Sequence, residues 1–155
     1  MLEGVTANMV VAIELIQKAV DALQARDFGR IVNITSGTVK LPQAGLDLSF
    51  AARSGLTIVL AGVARQVAAS NVTINNLLPG AYETDRLKTR ARQPRQAQRR
   101  QLRGRQRRAH RLDPAKRLGD LDGLGAACAF LCSAQAAFIT GQNLTIDGGA
   151  FPGVF

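Results

Sequence analysis

Apolar residues recur along the first segment at helical spacing: Met9, Ile13, Ile16, Val20 and Leu23 stand three or four apart, with Glu14, Gln17, Lys18 and Asp21 between them. Such a stripe predicts an amphipathic helix over about residues 8–26. Asp27-Phe28-Gly29 supplies a polar stop with a glycine near the C-cap. Ile31-Val32-Asn33-Ile34 reads as a short, largely apolar strand, and Thr35-Ser36-Gly37-Thr38 stands where it ends. Pro42, Gly45 and Asp47 mark an irregular connection. A second helix is expected over about 49–68, on a stripe of Leu56, Val59, Leu60, Val63 and Val67, with Ser49 as its N-cap. Gly55 and Gly62 lower helix propensity there and permit a neighbouring element to approach closely.

Val72 to Leu78 reads as the next strand, ended by Pro79-Gly80. From Arg86 to Arg117 the periodicity disappears; a loop, a solvated helix and disorder all fit that stretch. Helical spacing returns after Asp120 with Leu121, Leu124, Cys128 and Leu131, and Leu144-Thr145-Ile146 followed by Asp147-Gly148-Gly149 makes a final strand and turn. Helices and short apolar strands alternate, which predicts an α/β unit with a parallel sheet covered on both faces. Three strands are few for such a sheet, and the alternation opens on a helix, so its beginning is expected to be missing.

Composition narrows this picture. A chain of 155 residues, 46% hydrophobic, suits one domain with a real core. The net charge of +9 is not evenly spread: residues 86–117 hold fourteen Lys+Arg and one acid, a balance of +13, and the remainder has a balance of −4. Any polyanion partner would therefore engage that segment alone. The segment has no Phe, Trp or Tyr on which bases would stack, which disfavours nucleic acid. Cys128 and Cys132, four apart, read as reduced core residues of a helix, and the single His110 has no co-ligands, so no metal site is expected. No uninterrupted run of 18 apolar residues exists, and the N-terminus, with Glu3, lacks a basic signal region. No membrane partner is expected, and a cytoplasmic setting is the default.

Three ordered motifs carry a family resemblance. They are Gly29-Arg30-Ile31-Val32-Asn33-Ile34-Thr35-Ser36; Val72-Thr73-Ile74-Asn75 with Pro79-Gly80 and Glu83-Thr84-Asp85; and Phe138-Ile139-Thr140-Gly141-Gln142 closing at Asp147-Gly148-Gly149. In this order the chain resembles the C-terminal half of the short-chain dehydrogenase/reductase family, especially its 3-oxoacyl-acyl-carrier-protein-reductase-like members, over roughly residues 5–85 and 113–150. The resemblance implies a partial Rossmann-like, doubly wound parallel sheet lacking its N-terminal nucleotide-binding half. It also implies one truncated domain over 1–155, with 86–117 where the family carries its substrate flap. The implied activity is NAD(P)-dependent oxidation or reduction of a carbonyl/alcohol pair, with NADP or NAD as cofactor and a small-molecule carbonyl or alcohol as substrate. The two long helices would support a homo-oligomer or association with a full-length relative.

In that family an asparagine, a serine, a tyrosine and a lysine act together. The tyrosine exchanges a proton with the substrate oxygen, the lysine lowers its pKa and holds the ribose, the serine hydrogen-bonds the substrate oxygen, and the asparagine positions a water. Asn8 matches the asparagine and Ser36, twenty-eight residues on, the serine. Thirteen residues after Ser36, where the tyrosine would stand, the chain has Ser49, and four further on Arg53 replaces the lysine. A serine hydroxyl is a far weaker acid than a phenol. An arginine fork can hold ribose hydroxyls or a phosphate, but it does not deprotonate. Pro79, Gly80 and Thr84 match the segment that borders the nicotinamide. No glycine-rich turn heads the chain, so about a hundred N-terminal residues are expected to be absent. The rival reading is a non-catalytic remnant that binds a relative or a polyanion. For the basic run, adaptation to an acidic substrate, a nucleic-acid tail and an out-of-frame stretch all remain open.

Overall fold

The computed structural model describes residues 2–41, 47–82 and 114–153, except the Asp47 side chain. Helix α1 (Leu2–Val5), a π-helical turn (Thr6–Val10) and α2 (Val11–Ala25) follow one another without a break. The helix therefore begins well before residue 8. The expected stripe holds: Ile16 is buried, and Met9, Ile13, Val20 and Leu23 pack against the same core. The chain turns out of α2 at Asp27, whose φ is +51°.

Next come β1 (Gly29–Ile34), a 3-10 turn (Gly37–Val39), α3 (Asp47–Val67), a 3-10 turn (Ala68–Ser70) and β2 (Val72–Pro79). Helix α4 (Leu121–Cys132), a 3-10 turn (Ala134–Ala136) and β3 (Asn143–Ile146) complete the described residues. The sheet runs β1-β2-β3, and both pairings are parallel. Ile31 stands opposite Ile74, and Asn33, Asn76 and Asn143 form one row across all three strands. Pro79 closes β2 opposite Ile146, at the last position of the strand, where a missing N–H is tolerated.

Helix α3 buries Ala52, Leu56, Leu60, Ala64 and Val67. Leu56, Leu60, Ala64 and Val67 meet Ile16, Val72 and Ile74 in a single cluster. Each such large apolar side chain contributes roughly 1.5–3 kcal/mol by leaving water. Val59, placed in the stripe by spacing, is 38% exposed; Ala52 and Ala64 face the core instead, because small residues let the helix sit close to the sheet. A Cβ at Gly55 would lie 3.2 Å from the Met9 sulfur, so this glycine does permit close helix packing, but at Gly62 nothing lies within 4 Å. By length and composition alone the helix Leu48–Ser70 is apolar enough to cross a membrane, as the core helix of a soluble protein can be. Its core stripe is nevertheless laid on the sheet, and it carries Arg53 and Arg65.

Successive strand residues face opposite sides, so the residues beside Ile31 and Ile74 look toward α4. Within α4 only Leu131 is buried. Cys132 follows it, about 100° around the helix, and is exposed; the expectation of two core cysteines fails there, although both thiols are free. Arg30 fastens this face. Its Nε donates to the Ser133 carbonyl at 3.1 Å, Nη1 to the carbonyls of Gly29 and Asn71 at 2.8 and 2.7 Å, and Nη2 to Asn71 Oδ1 at 3.0 Å. The guanidinium also lies 4.5 Å from the centroid of the Phe28 ring. Asn71 sits at φ +53° and donates from Nδ2 to the Asp27 carbonyl at 3.0 Å. One planar cation thus joins the start of β1, the turn into β2 and the end of α4.

Replacing Arg30 by Met is expected to lower unfolding free energy by about 2–3 kcal/mol, since several charge-assisted bonds end at once. Arg30→Lys should recover less than half, because an ammonium does not reproduce the fork. Urea denaturation followed by circular dichroism measures both; a loss below about 0.5 kcal/mol would remove Arg30 from this role.

Candidate active site

In a parallel sheet the loops at the carboxyl ends of the strands gather into one edge, where α/β proteins bind ligands. Here that edge collects Ser36 after β1, Pro79-Gly80 at the end of β2 and Asp147 after β3. Thr35 donates from its backbone N and its hydroxyl to the Leu77 carbonyl, at 2.8 and 3.2 Å. Gly80 N donates to the Ile146 carbonyl at 3.0 Å. A Cβ on Gly80 would stand 2.6 Å from Asp147 Cβ and 2.8 Å from its Cα, so only glycine allows β2 and β3 to meet this closely.

Ser36 caps the 3-10 turn. Its Oγ accepts from Thr38 N at 3.2 Å and from Thr38 Oγ1 at 3.0 Å. Both acceptor positions are engaged, so the serine proton is left to donate. Thr38 thereby orients the serine. Sequence reasoning treated it only as a turn residue, although a hydroxyl two positions after a strand-end serine was the available signal. A Cβ on Gly37 would lie 3.3 Å from the Pro79 carbonyl oxygen, which seats the Ser36 turn against the end of β2.

Asn8 lies inside the π-helical turn, and its Nδ2 donates to the Gly4 carbonyl at 2.8 Å. Widened turns of this kind are frequent at functional sites. Helix α3 packs against this π turn and against the 3-10 turn after Ser36, bringing together the elements that carry Asn8, Ser36, Ser49 and Arg53. Ser49 is not the N-cap, because α3 begins at Asp47 and places it within the first turn. There Ser49 Oγ accepts from Arg53 Nη1, one helical turn on. Thr84 lies outside the described residues.

Tyr82, the only tyrosine, does not stand in for the tyrosine that the resemblance would place at position 49. Its hydroxyl donates to the Ile146 carbonyl at 3.2 Å, and its ring bars any Cβ on the facing Gly119. Burial raises its pKa above the usual phenol value of 10.0; the Asp147 carboxylate adds to this and Arg117 opposes it. Asp147 itself accepts backbone N–H bonds from Gly149 at 2.9 Å and Phe151 at 2.8 Å. An open cavity of about 330 Å³ lies beside β3, lined by Lys40, Asn143, Thr145, Asp147 and Phe151 among others; it includes none of the expected site residues.

A family profile described as enoyl-(acyl carrier protein) reductase matches residues 3–150. The chain belongs to the short-chain dehydrogenase/reductase family. It is 33% identical over 144 residues to the 3-oxoacyl-[acyl-carrier-protein] reductase of Vibrio cholerae, covering 93% of this chain and 54% of that protein. It is 29% identical to the NADPH-dependent reductase BacG of Bacillus subtilis, covering 96% of this chain and 58% of that one. Among solved structures, YwfH, an NADPH-dependent reductase involved in bacilysin biosynthesis, superposes with a TM-score of 0.84 at 29% identity, over 97% of this chain and 57% of that chain. A 3-oxoacyl (acyl-carrier-protein) reductase from Agrobacterium tumefaciens, solved with NADP bound, gives 0.80 at 26% identity, over 91% of this chain and 52% of its own. The chain thus spans little more than half the length of these short-chain dehydrogenase/reductase relatives, and its three parallel strands with their helices form part of a Rossmann-like sheet.

Tyr82→Phe is expected to cost about 1 kcal/mol at neutral pH through loss of the bond to Ile146. The raised pKa adds a signature with a definite sign. Because the folded protein holds this proton more tightly than the unfolded chain, the stabilisation is complete below the ordinary phenol range and is lost as pH rises through the folded value. The stability difference between wild type and variant should therefore be flat from pH 6 to about 9 and shrink above about 10. Urea titrations at stepped pH measure it; a difference that grew with pH would contradict the assignment.

Proposed function

We propose that this chain carries the substrate side of an NAD(P)-dependent oxidoreductase acting on a carbonyl/alcohol pair, of the 3-oxoacyl-reductase-like kind. The observation that carries this reading is Ser36: a hydroxyl at the carboxyl end of β1, its acceptor positions engaged by Thr38, with its proton free for a substrate oxygen. Asn8 in the π turn would support a water-linked proton path, and Ser49 and Arg53 take the places of the family's tyrosine and lysine.

The described residues fit the carboxamide side of a nicotinamide cofactor. Gly80 exposes backbone at an edge where a side chain has no room, Pro79 supplies a carbonyl beside the serine turn, and Arg53 offers donors to a ribose. Thr84 belongs to the same segment by family position. The cofactor, when bound, supplies or accepts the hydride. Ser36 would hold the carbonyl oxygen, and Ser49, polarised by the cation on its oxygen, would donate a second hydrogen bond. A homo-oligomer, or a pairing with a full-length relative, would cover Val11, Leu15, Leu48 and Ile58, which stand exposed on α2 and α3. The two free thiols agree with a cytoplasmic setting.

A second reading, a non-catalytic polyanion-binding remnant, is supported by the +13 balance of residues 86–117 and by the loss of the phenol. That segment, apart from residues 114–117, falls outside the described residues.

Titration with NADPH, followed by cofactor fluorescence and by oxidation of NADPH with a carbonyl panel, separates the two. The oxidoreductase reading expects saturable binding, a loss of about 10²-fold in rate for Ser36→Ala, and a gain of at least about 10-fold for the double replacement Ser49→Tyr, Arg53→Lys, which restores a proton donor. No NADPH binding below millimolar levels, together with DNA affinity that falls steeply with salt, would transfer the conclusion to the remnant reading.

A further inference from the structure

Arg53 uses one nitrogen and keeps an edge. Its Nη1 donates to the Ser49 carbonyl oxygen at 3.5 Å and to Ser49 Oγ; Nε and Nη2 make no hydrogen bond among the described residues. The Nε–Nη2 edge is one of the two that meet a carboxylate with parallel bonds. Ser49, accepting from a cation, has no acceptor for its own O–H among the described residues and offers it as a third donor. Both residues stand on the first two turns of the twenty-one-residue α3, the end of a helix that favours negative charge.

The complementary observation is the want of an acceptor. Ser36 Oγ already accepts from Thr38 and Ser49 Oγ from Arg53, so neither hydroxyl oxygen offers an open acceptor position beside the guanidinium. A set of donors around a permanent cation suits an oxyanion better than a neutral ketone, which would leave the arginine edge unpaired.

We infer that Ser49 and Arg53 form an oxyanion-binding fork, and that the substrate carries a carboxylate next to its carbonyl or alcohol carbon. This rests on the oxidoreductase reading for the word substrate, though not for the fork itself, and it gives the Arg53 edge to the carboxylate in place of a ribose and the Ser49 O–H to the carboxylate in place of the carbonyl.

The test is titration of the full chain with oxamate, which carries a carboxylate beside a carbonyl, and with its uncharged counterpart oxamide, with and without NADPH, by calorimetry. Oxamate should bind at least about tenfold more tightly than oxamide, as a bidentate charged pair requires. Arg53→Met should abolish the preference, Arg53→Lys should keep only part of it, and Ser49→Ala should weaken oxamate while leaving the preference in place. Equal affinities, no binding of either probe, or a full preference surviving in Arg53→Met or Arg53→Lys would each overturn the fork. Circular dichroism establishes that each variant is folded, and Arg53→Lys alone suffices if Arg53→Met is not. NADPH binding without oxamate preference defeats the fork and spares the oxidoreductase reading. Preference without NADPH binding or turnover defeats the oxidoreductase reading and spares the fork.

Discussion

Everything in this molecule hangs on β2, which is paired at both edges and buried along nearly its whole length. A strand in that position would ordinarily be all apolar, yet it carries Thr73, Asn75 and Asn76; among the described residues Thr73 Oγ1 and Asn76 Oδ1 have no partner, whereas both ends of the Asn75 amide and the Asn76 nitrogen do. Asn75 Nδ2 donates to the Ile139 carbonyl at 2.7 Å, and its Oδ1 accepts from Gln142 N at 3.0 Å. Asn76 Nδ2 donates to Asn143 Oδ1 at 2.8 Å. Gly141 N and the Thr140 hydroxyl close on the two backbone groups of Ile74. The amides of β2 thus dictate the path of residues 139–143, and through it where β3 begins. A strand slipped by one residue would turn Asn75 and Asn76 to the opposite faces, so the polar groups fix register as firmly as the apolar ones.

Register then sets the site. With Pro79 opposite Ile146, the Ile146 carbonyl receives both Gly80 N and the Tyr82 hydroxyl, and Asp147 is brought against Gly80. On the other side, Ile34 opposite Leu77 lets Thr35 take the Leu77 carbonyl, which places Ser36 next to Pro79. Arg30 does the corresponding work at the opposite end of the sheet. One end is tied by a cation and the other by close backbone contact, and the catalytic candidates sit on the second.

Elements whose apolar spacing was regular were legible: β1, β2, β3 and the stripes of α2 and α3 follow the alternation read from the chain. What was not legible turned on details that spacing does not encode. Val59 and Leu60 are adjacent apolar residues, and only the angle at which α3 lies on the sheet decides that Leu60 is buried and Val59 is not. Cys132 is misplaced for the same reason, one residue past Leu131. Ser49 resembles an N-cap by type, but the helix starts at Asp47, which turns the serine toward Arg53 instead. The π turn around Asn8 carries no compositional mark at all. Family motifs singled out Asn8, Ser36, Ser49 and Arg53, whose elements α3 brings together; that Thr38 holds Ser36 became visible only with the hydroxyls in place.

On the proposed reading, a hydroxyl and a guanidinium stand where the family has a phenol and an ammonium, which changes what such an edge can do. A phenol near pKa 10 can lose its proton at a cost a lysine neighbour reduces, so that pair works by proton transfer. A serine hydroxyl cannot be brought into that range by one neighbour, and a guanidinium keeps its protons throughout. Tyr82 offers no substitute, because its hydroxyl is bonded to Ile146 and burial pushes its pKa further up. What remains at Ser49 and Arg53 is the capacity to stabilise negative charge without relieving it by protonation. On the proposed reading, charge developing on a substrate oxygen would be held by Ser36 while its proton arrives from water, and Ser49 and Arg53 would hold the neighbouring carboxylate. Such a site asks less of residue pKa and more of geometry. Its performance would then depend on how rigidly α3 is held against the π turn and β2, which is what the close contact at Gly55 and the buried stripe of α3 provide.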